Sequence, residues 1–357
     1  MHVTAISGLG AKAAACFLVD TGAARFLLDL GEGPAPQPFP DLAGIGPVDA
    51  VLVSHGHADH IGGLHLVDTV GDPPIYATAM TRAFAGHPRL AEARELPLRG
   101  RVDIAGTSIE TGRAGHAAGG IWMRIGGEGG VLYTGDLCRE SVLYPVDVPL
   151  PAATLIADAS YGTYDAPLER AVADLVVRAG QGPLLLPAPP TGRGLEIAVL
   201  LHEAGLPVAL CAQHRHVARL MLEAETGTLA ADGAARLRAM LDAARQLDAD
   251  SAPDGAMIAA NAAASAGIAG ALFVRFAADP AVAVLFTGHV DEGTPAWGAI
   301  AAGRAGFLRW NVHPRLRDLA WLHETVRPSA LMLAFCAADA AGEVARLIAP
   351  PDAESPR

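Results

Sequence analysis

Short apolar stretches separated by glycine-containing turns dominate the first 165 residues of the chain. Many short strands with few long helices are typical of sheets packed face to face. The pattern therefore predicts a largely antiparallel or mixed sheet sandwich. The predicted strands are Val3–Ser7, Ala15–Asp20, Arg25–Asp29, Ala50–Ser54, Ile75–Ala77, Arg101–Ile104, Thr107–Thr111, Ile121–Ile125, Gly130–Thr134 and Thr154–Asp158.

The pattern changes after Tyr164, where stretches with helical spacing alternate with apolar strands. This alternation indicates a parallel α/β layer. Predicted helices lie at about Pro167–Ala179, Gly194–Ala204, His216–Ala224, Ala234–Leu247 and Ala269–Ala277. Predicted strands lie at Pro183–Pro187, Val208–Cys211, Ala256–Ala260 and Ala283–Thr287. A helix at Pro314–Val326 and a strand at Ala330–Phe335 are predicted to close the fold, followed by a disordered tail after Pro350.

Domain boundaries follow from this change of pattern. We place an inserted parallel α/β domain at residues 166–299, within a sandwich domain made of residues 1–165 and 300–357. A chain of 357 residues is long enough for two such domains. Its 51% hydrophobic and 18% charged residues are typical of a packed globular protein and exclude a disordered one.

Charge and cysteine usage narrow the function classes. A net charge of −12 argues against a protein that binds nucleic acid over its whole surface, so such a partner needs a locally positive groove. The four cysteines, Cys16, Cys138, Cys211 and Cys336, lack C-x-x-C spacing and are predicted to be buried free thiols in a reducing compartment.

The sequence contains neither a pattern typical of a membrane-spanning segment nor one typical of a secretory signal. The N-terminus begins with a predicted strand and lacks a basic-then-apolar signal pattern. The uncharged run Ala256–Val274 contains Asn261 and several glycines, so we interpret it as a strand, a loop and the start of a helix. We therefore expect a cytoplasmic protein without a membrane partner, and a homodimer stays open.

The strongest chemical signal is the segment His55-Gly56-His57-Ala58-Asp59-His60, which directly follows the apolar strand Asp49–Ser54. Three histidines and an aspartate within six residues are costly to bury unless they converge on a cation. Imidazole and carboxylate groups suit zinc and related divalent metals. A solvated histidine-rich turn is the much weaker interpretation. The segment therefore predicts a metal site.

This spacing resembles the metallo-β-lactamase superfamily, and further motifs occur in the matching order. Asp29, at the end of an apolar strand, resembles the superfamily's first motif, an aspartate that orients the ligand loop. His116, in Gly-His-Ala-Ala-Gly, resembles the third ligand motif, and Asp136, in Tyr-Thr-Gly-Asp, resembles a carboxylate that bridges two metals. Taken singly, Asp29 is a turn residue and His116 a loop histidine; their joint order makes the resemblance specific.

The resemblance implies a fold and a metal content. The fold is α/β, namely a metallo-β-lactamase αββα sandwich with an inserted parallel α/β domain. The cofactor is zinc at two sites, with manganese as an alternative. One metal is held by His55, His57, His116 and Asp136, and the other by Asp59, His60 and Asp136.

A competing glycine motif precedes this site. Gly8-Leu9-Gly10-Ala11-Lys12-Ala13 follows a predicted strand, and Asp29 lies at about the interval of a dinucleotide-binding fold. The next residues, Cys16 to Val19, have a strand pattern, which leaves no room for the helix that such a site requires. We therefore reject a dinucleotide site.

A second resemblance covers almost the whole chain and narrows the group. The segments 155–162, 184–196, 257–270 and 285–294 resemble the inserted domain of the β-CASP group and its borders, the nucleic-acid-processing branch of the superfamily. In that group an acidic residue and a histidine complete the active site. Asp158 matches the acidic position and His313 the histidine. The weaker interpretation of His313 is a surface residue before a helix.

The sequence departs from the group's pattern after the last predicted strand. Phe335 occupies the position where the group usually has a histidine ligand of the second metal. Cys336 and His289 are the candidate substitutes, and Arg315 stands where an aspartate is usual. The second metal site is therefore expected to be weaker than the first.

Three functions are compatible with these features. The leading hypothesis is a metal-dependent phosphodiesterase that acts on RNA or single-stranded nucleic acid in a cleft between the domains. In it, Asp59 orients the attacking water, and His313, paired with Asp158, protonates the leaving oxygen. Phosphate contacts are expected from Arg193, Arg304, Arg309, Arg315 and Arg317, although each alone is more readily an ordinary surface residue.

The alternatives use the same residues differently. One is hydrolysis of a small ester, thioester or lactone at the same metal centre, which the acidic balance and Phe335 favour. The other is a non-catalytic subunit that retains part of the site. Turnover of labelled RNA against small substrates, together with metal content, distinguishes the three.

Overall fold

The structure, a computed structural model, describes residues 1–224 and 227–349 and contains two compact units. The first unit comprises residues 1–139, 145–165 and the chain from His313 onward. The second comprises residues 140–144 and 166–312. The tail after Pro350, predicted to be disordered, lies outside the described residues.

Two six-stranded mixed sheets form the centre of the first unit. In spatial order, the first sheet contains β1 (His2–Ser7), β2 (Cys16–Asp20), β3 (Arg25–Leu28), β4 (Ala50–Leu52), β5 (Ile75–Ala77) and β6 (Arg94–Glu95). The second contains β18 (Ala330–Ala334), β11 (Thr154–Asp158), β10 (Val131–Tyr133), β9 (Ile121–Ile125), β8 (Thr107–Arg113) and β7 (Gly100–Ile104). Each sheet combines parallel and antiparallel pairs.

Alternation along the strands divides the apolar side chains of the first unit between different cores. Phe26 and Leu28 of β3 pack into a core that also contains Tyr133 of β10 and Ile156 of β11. Leu27, between them in sequence, packs into a separate core on the other face of its sheet. Because successive residues of a strand point to opposite faces, one β-strand contributes to two layers.

Helices cover the outer faces of both sheets. Ile61 and Leu64 pack against the first sheet and Leu319 and Val344 against the second. The predicted αββα sandwich is therefore confirmed. These helices are α1 (Ala58–Ile61), a 3₁₀ helix (Leu64–Val70), α2 (Ala79–Phe84), α3 (Pro88–Ala91), α10 (Leu316–Val326) and α11 (Ala338–Ile348).

The second unit contains a six-stranded sheet in which every pair is parallel. Its spatial order is β14 (Arg245–Leu247), β13 (Val208–Cys211), β15 (Ala256–Ala260), β12 (Leu184–Ala188), β16 (Ala283–Phe286) and β17 (Gly306–Phe307). The helices are α4 (Leu168–Ala179), α5 (Arg193–Glu203), α6 (Ala212–Glu223), α7 (Gly233–Ala243), α8 (Gly267–Phe276) and α9 (Pro295–Ala301). The predicted parallel α/β insertion is confirmed.

The carboxylate of buried Glu196 explains why the second unit includes residues outside the range 166–299. It accepts hydrogen bonds from the backbone N–H of Val142 at 2.6 Å and from Nε1 of Trp310 at 2.9 Å. Both segments are therefore held to α5 and pack with this unit, which begins early at residue 140 and ends at residue 312.

One predicted helix was wrong in extent, and one helix near the end of the chain was not predicted. Residues 245–247 continue the helical spacing of α7 but form β14, which pairs in parallel with β13. The final strand does not close the fold, because α11 follows it. The glycine loop 8–15 leads directly into strand β2, as the strand pattern of the residues after it predicted. Within residues 1–224 and 227–349, no helix is long and apolar enough to cross a membrane.

Candidate metal centre

The predicted ligands lie where several strands of the first unit end at the same edge. Strands β8, β10, β11 and β18 run in one direction, since β10, β11 and β18 are parallel and β9 is antiparallel to both β8 and β10. Their carboxyl ends therefore share one edge of the sheet. His116, Asp136 and Asp158 are positioned by the ends of β8, β10 and β11. Parallel strands commonly assemble functional side chains this way.

The segment after β4 supplies the remaining predicted ligands from the other sheet. Its backbone is fixed at two points: the N–H of Ala15 donates to the carbonyl of Asp59 at 2.8 Å, and that of Leu30 donates to the carbonyl of His60 at 3.0 Å. Gly31 is required here because a Cβ would collide with the Asp59 carbonyl. The loop after β3 and the ligand segment can therefore approach closely.

Four donor atoms converge to form the first set. His57 Nδ1 lies 3.0 Å from His55 Nε2 and 2.9 Å from His116 Nε2. Asp136 Oδ2 lies 3.7 Å from His55 Nε2 and 3.4 Å from His116 Nε2. All four atoms fall within 4.8 Å of one another.

These separations fit a tetrahedral metal. Zinc binds nitrogen and oxygen at about 2.0–2.1 Å, so two donors of a regular tetrahedron lie about 3.3 Å apart. The observed values scatter around that spacing. Neutral imidazoles and one carboxylate are the donor chemistry that zinc accepts. The first set therefore fits a divalent metal without rearrangement.

The second set uses the other oxygen of the same carboxylate. Asp136 Oδ1 lies 3.2 Å from His60 Nε2, and Asp59 completes a group of three. Since Oδ2 faces the first set and Oδ1 the second, Asp136 has the geometry of a bridging ligand.

Asp29 orients His60 from a fully buried position. Its Oδ2 lies 2.7 Å from His60 Nδ1 and accepts a hydrogen bond from the Tyr133 hydroxyl at 2.6 Å. The carboxylate also accepts from the Ser54 N–H and hydroxyl, both at 2.7 Å. A carboxylate that already receives three hydrogen bonds acts as acceptor toward His60 as well, so Asp29 holds the Nδ1 proton of His60 and Nε2 is the ring atom that faces Asp136.

Ser54 orients His55 in the same way. Its hydroxyl proton is used on Asp29, so its oxygen accepts from His55 Nδ1 at 3.1 Å. His55 Nε2 is therefore the free donor atom. The sequence analysis did not predict that Ser54 orients His55. It also did not predict that the Tyr133 hydroxyl donates to Asp29. Adjacency to His55 was a usable signal for Ser54, whereas nothing in the sequence indicated Tyr133.

Burial and neighbouring charges shift the pKa values of the candidate ligands in directions that favour a bound cation. Burial lowers the pKa of His55 well below its ordinary value, and His60 and His57 act in the same direction, so this imidazole is neutral. Burial raises the pKa of Asp136, but His60 and His313 outweigh it and hold that pKa well below the usual range. Burial opposes a charged His60, yet Asp136 and Asp29 raise its pKa well above normal. Positive charge is thus stabilised between these carboxylates.

His313 pairs with Asp158 beside the two donor sets. His313 Nδ1 lies 2.7 Å from Asp158 Oδ2 and 3.7 Å from Asp136 Oδ2. Tyr161 packs its ring edge-on against this imidazole at 5.1 Å between centroids. Asp136, Asp158 and His313 also satisfy the distances of a metal group. The short Asp158–His313 contact, however, is a hydrogen bond that occupies Nδ1, so we interpret the pair as a dyad.

Phe335 lies against the second donor set. It is 5% exposed, and its ring contacts that of His60 edge-on at 5.5 Å. Neither candidate substitute is brought to this set: among the described residues, no group with metal-ligand spacing includes Cys336 or His289. The Sγ of Cys336 is directed to the carbonyl of Leu333, and His289 pairs with Asp291 at 2.9 Å.

The other sequence predictions have mixed outcomes. All four cysteines are free and buried, as expected. Three of the arginines proposed as phosphate contacts are engaged within their own units: Arg315 pairs with Asp318 at 2.9 Å, Arg317 pairs with Asp165 at 2.8 Å, and Nε of Arg193 donates to Thr287 at 3.1 Å. The location of nucleic acid in a cleft stays a prediction.

Comparison with known families identifies one match. Residues 9–179 match the metallo-beta-lactamase superfamily. This range contains the ligand segment after β4, His116, Asp136 and Asp158.

Several curated proteins are similar over part of their length. Transcription termination factor FttA of Methanosarcina mazei is 27% identical over 253 residues, 57% of this chain and 39% of that protein. Ribonuclease TTHA0252 of Thermus thermophilus is 31% identical over 173 residues, 41% of this chain and 40% of that protein. Endoribonuclease YSH1 of Mycosarcoma maydis is 28% identical over 213 residues, 48% of this chain and 24% of that protein. The chain thus spans 39% to 40% of the first two relatives.

Proposed function

Because residues 9–179 are a metallo-β-lactamase superfamily domain, we propose that this chain is a metal-dependent phosphodiesterase that cleaves RNA or single-stranded nucleic acid. The observation that carries the proposal is the shared carboxylate of Asp136, whose two oxygens face two donor sets beside the His313–Asp158 pair. Two adjacent cations stabilise both oxygens of an in-line phosphoryl displacement.

The names of the relatives favour a nucleic-acid substrate. Two of them are a ribonuclease and an endoribonuclease, and another is a transcription termination factor. This agrees with the β-CASP-like organisation, in which a parallel α/β unit is inserted into the sandwich. The small-substrate alternative has no comparable support.

Asp59, Asp158 and His313 have the catalytic roles in the mechanism, and Asp59 is also a ligand of the second set. When bound, the metals supply Lewis acidity toward the phosphoryl group and the attacking water. Asp59 accepts a hydrogen bond from that water and orients it. Asp158 holds the Nδ1 proton of His313, which leaves Nε2 to donate a proton to the departing oxygen. Asp136 and Asp158 are buried, which limits the access of other water to these two carboxylates, whereas Asp59 is half-buried.

We assign zinc as the preferred metal, with manganese as the alternative. The first set has three imidazoles and one carboxylate, the composition that zinc favours. The second set has only Asp59, His60 and Asp136, and the neighbouring Phe335 supplies no donor. The first position therefore binds its ion more tightly than the second. Three protein ligands still leave an open position for substrate, as in many catalytic zinc sites.

A paired turnover assay tests the function. The metal-loaded protein is incubated with labelled single-stranded RNA, DNA of the same sequence, bis(p-nitrophenyl) phosphate, a thioester and a lactone. We expect cleavage of RNA or single-stranded DNA, and loss of it in His57→Ala but not in His289→Ala, which removes an exposed histidine outside the donor sets. Turnover of the thioester or lactone alone would overturn the nuclease proposal.

Metal content tests the non-catalytic alternative. Purified protein dialysed against zinc is expected to retain at least about one ion per chain, because the first set is complete. Less than that, without recovery on addition of zinc or manganese, would favour a subunit without catalytic function.

A further inference from the structure

The loop between β1 and β2, residues 8–15, contacts the metal centre at both of its ends. At its start, the carbonyl of Gly8 accepts the N–H of Phe335 at 2.8 Å, and Leu9 forms an antiparallel bridge with Ala334. At its end, the N–H of Ala15 donates to the carbonyl of Asp59 at 2.8 Å. The loop therefore runs from the end of β18 to the ligand segment after β4.

The middle of this loop stands away from the rest of the unit. Gly10 has φ +77°, and a Cβ placed there would meet nothing within 4 Å. Leu9 is 40% exposed, and Ala11 and Lys12 are exposed as well. The loop thus has fixed ends and an open tip at the rim of the site.

The tip carries the only lysine of the chain. Lys12 is one of 26 basic residues, and all the others are arginine. Among residues 1–224 and 227–349 no carboxylate pairs with it, whereas Arg315 and Arg317, at the start of α10, are neutralised by aspartates. Its ammonium is an unneutralised positive charge.

The charge of Lys12 acts on His313. Burial lowers the pKa of His313, Asp158 and Asp136 raise it above its ordinary value, and Lys12 acts in the lowering direction. Electrostatic influence of this kind agrees with the path of the loop, which begins beside Phe335 and ends beside Asp59. Lys12 lies four residues after Gly8, which is bound to Phe335, and three residues before Ala15, which is bound to the Asp59 carbonyl, so its charge is held near the metal centre.

We infer that Lys12 is a substrate-binding residue that contacts a non-bridging phosphoryl oxygen of the phosphodiester bound at the metal centre. The inference rests on the proposed function and adds to it a contact outside the metal ligands. An ammonium is a compact charge with three donors, suited to a phosphate whose direction of approach varies. In a chain of net charge −12, an unpaired cation beside a cluster of carboxylates provides local attraction for an anionic substrate.

Selective acylation of amines tests the contact without relying on turnover. Because Lys12 is the only lysine, the α-amino group is the only other alkyl amine and serves as an internal reference. The zinc-loaded protein is treated with limiting acetic anhydride, with and without a short RNA, bis(p-nitrophenyl) phosphate or inorganic phosphate. Peptide mass spectrometry then gives the acylation rate of Lys12 and that of the α-amino group. We expect RNA to slow acylation of Lys12 about fivefold or more, as for an ammonium held in charge-assisted hydrogen bonds, with the α-amino rate unchanged.

Binding of single-stranded RNA at several salt concentrations gives an independent measurement. Lys12→Met is expected to reduce the slope of log affinity against log salt by about 0.7, equally for unrelated sequences, because one phosphate contact is lost. The KM of Lys12→Met for RNA should rise roughly tenfold because one charged hydrogen bond is lost, and its kcat should change little. Lys12→Arg should keep most of the affinity. Arg101→Met, at exposed β7 on the opposite edge of the sheet from β18, is the charge-matched control.

The outcomes separate this contact from the proposed function. If RNA is cleaved but Lys12 is acylated at the same rate with and without it, or Lys12→Met behaves like Arg101→Met, the contact is overturned and the function stands. If no phosphodiester is cleaved yet phosphate protects Lys12, the anion contact stands and the function is overturned. Absence of both cleavage and protection overturns both.

Discussion

His313 Nδ1 lies 2.7 Å from Asp158 Oδ2, although 155 residues separate them in the chain. The carboxylate is completely buried and also accepts the N–H and hydroxyl of Ser160 at 3.0 and 2.6 Å. It cannot turn away from the imidazole without losing these bonds. The pair therefore holds the imidazole in one orientation, and the Asp158 carboxylate stabilises the imidazolium form, whose Nε2–H is the proton that a general acid donates.

His313→Gln and Asp158→Asn are expected to lower kcat for RNA by about 10²- to 10⁴-fold, the usual contribution of general acid catalysis. For bis(p-nitrophenyl) phosphate, kcat should fall less than about tenfold, because p-nitrophenolate is a leaving group that does not need a proton. Steady-state kinetics on both substrates provide the measurement. An equal loss on both would contradict the assigned role and point to damage of the metal sets, which metal analysis detects.

His116→Ala should abolish tight metal binding at the first set. It removes one of four converging donors, and the imidazole of His57 then loses the partner 2.9 Å from its Nδ1. Zinc measured by elemental analysis after dialysis is expected to fall by about one ion per chain, and the rise in melting temperature on zinc addition to shrink. His289→Ala is the control. Unchanged zinc content in His116→Ala would remove this residue from the ligand set.

Phe335→His should increase the occupancy of the second position. The residue has φ +64°, a left-handed conformation in which histidine is more frequent than most non-glycine residues. Its ring already contacts that of His60, so an imidazole there lies close to the set that lacks a donor. Zinc titration followed by calorimetry is expected to show a second binding step at least about tenfold tighter.

Phe335→Leu controls for loss of the aromatic contact. It removes the ring from His60 and Phe17 without adding a donor. If both variants tighten the second step equally, the gain comes from relief of packing and not from a new ligand.

His214 should make the second unit sensitive to acid. Burial lowers the pKa of this completely buried imidazole from 6.5 to about 4. Its Nε2 faces the carbonyl of Pro189 at 3.1 Å, so Nδ1 accepts from the Cys211 thiol at 3.2 Å. The folded state resists a proton that the unfolded chain takes up below pH 6.5. Stability is therefore complete above pH 6.5 and decreases as the pH falls toward 4, by about 2 kcal/mol at pH 5.

Urea unfolding at pH 7.5 and pH 5 measures this effect. His214→Gln is expected to be less stable at neutral pH but to lose less on acidification. His216→Gln, exposed on the same helix, should retain the wild-type pH dependence. If His214→Gln loses as much unfolding free energy between pH 7.5 and pH 5 as the wild type does, groups other than His214 cause the loss.

Much of the fold was predictable because it depends on local patterns. Strands such as Ile121–Ile125 and Thr154–Asp158 were predicted to the residue, since alternation and turn residues act over a few positions. Residues 245–247 were assigned to a helix because the spacing of Leu241, Ala244 and Leu247 fits one. Pairing with β13 overrides that preference, and such pairing depends on a strand distant in sequence.

The same division applies to the site. The sequence by itself determined which side chains are the candidate ligands, because the spacing from His55 to His60 and the motifs around His116 and Asp136 are local chemical signals. Only the tertiary structure decided that Asp136 directs one oxygen to each set, that Ser54 and Tyr133 fix Asp29, and that Phe335 lies against His60. Hydrogen-bond direction and side-chain packing are set by neighbours from different strands, whose approach no single segment encodes.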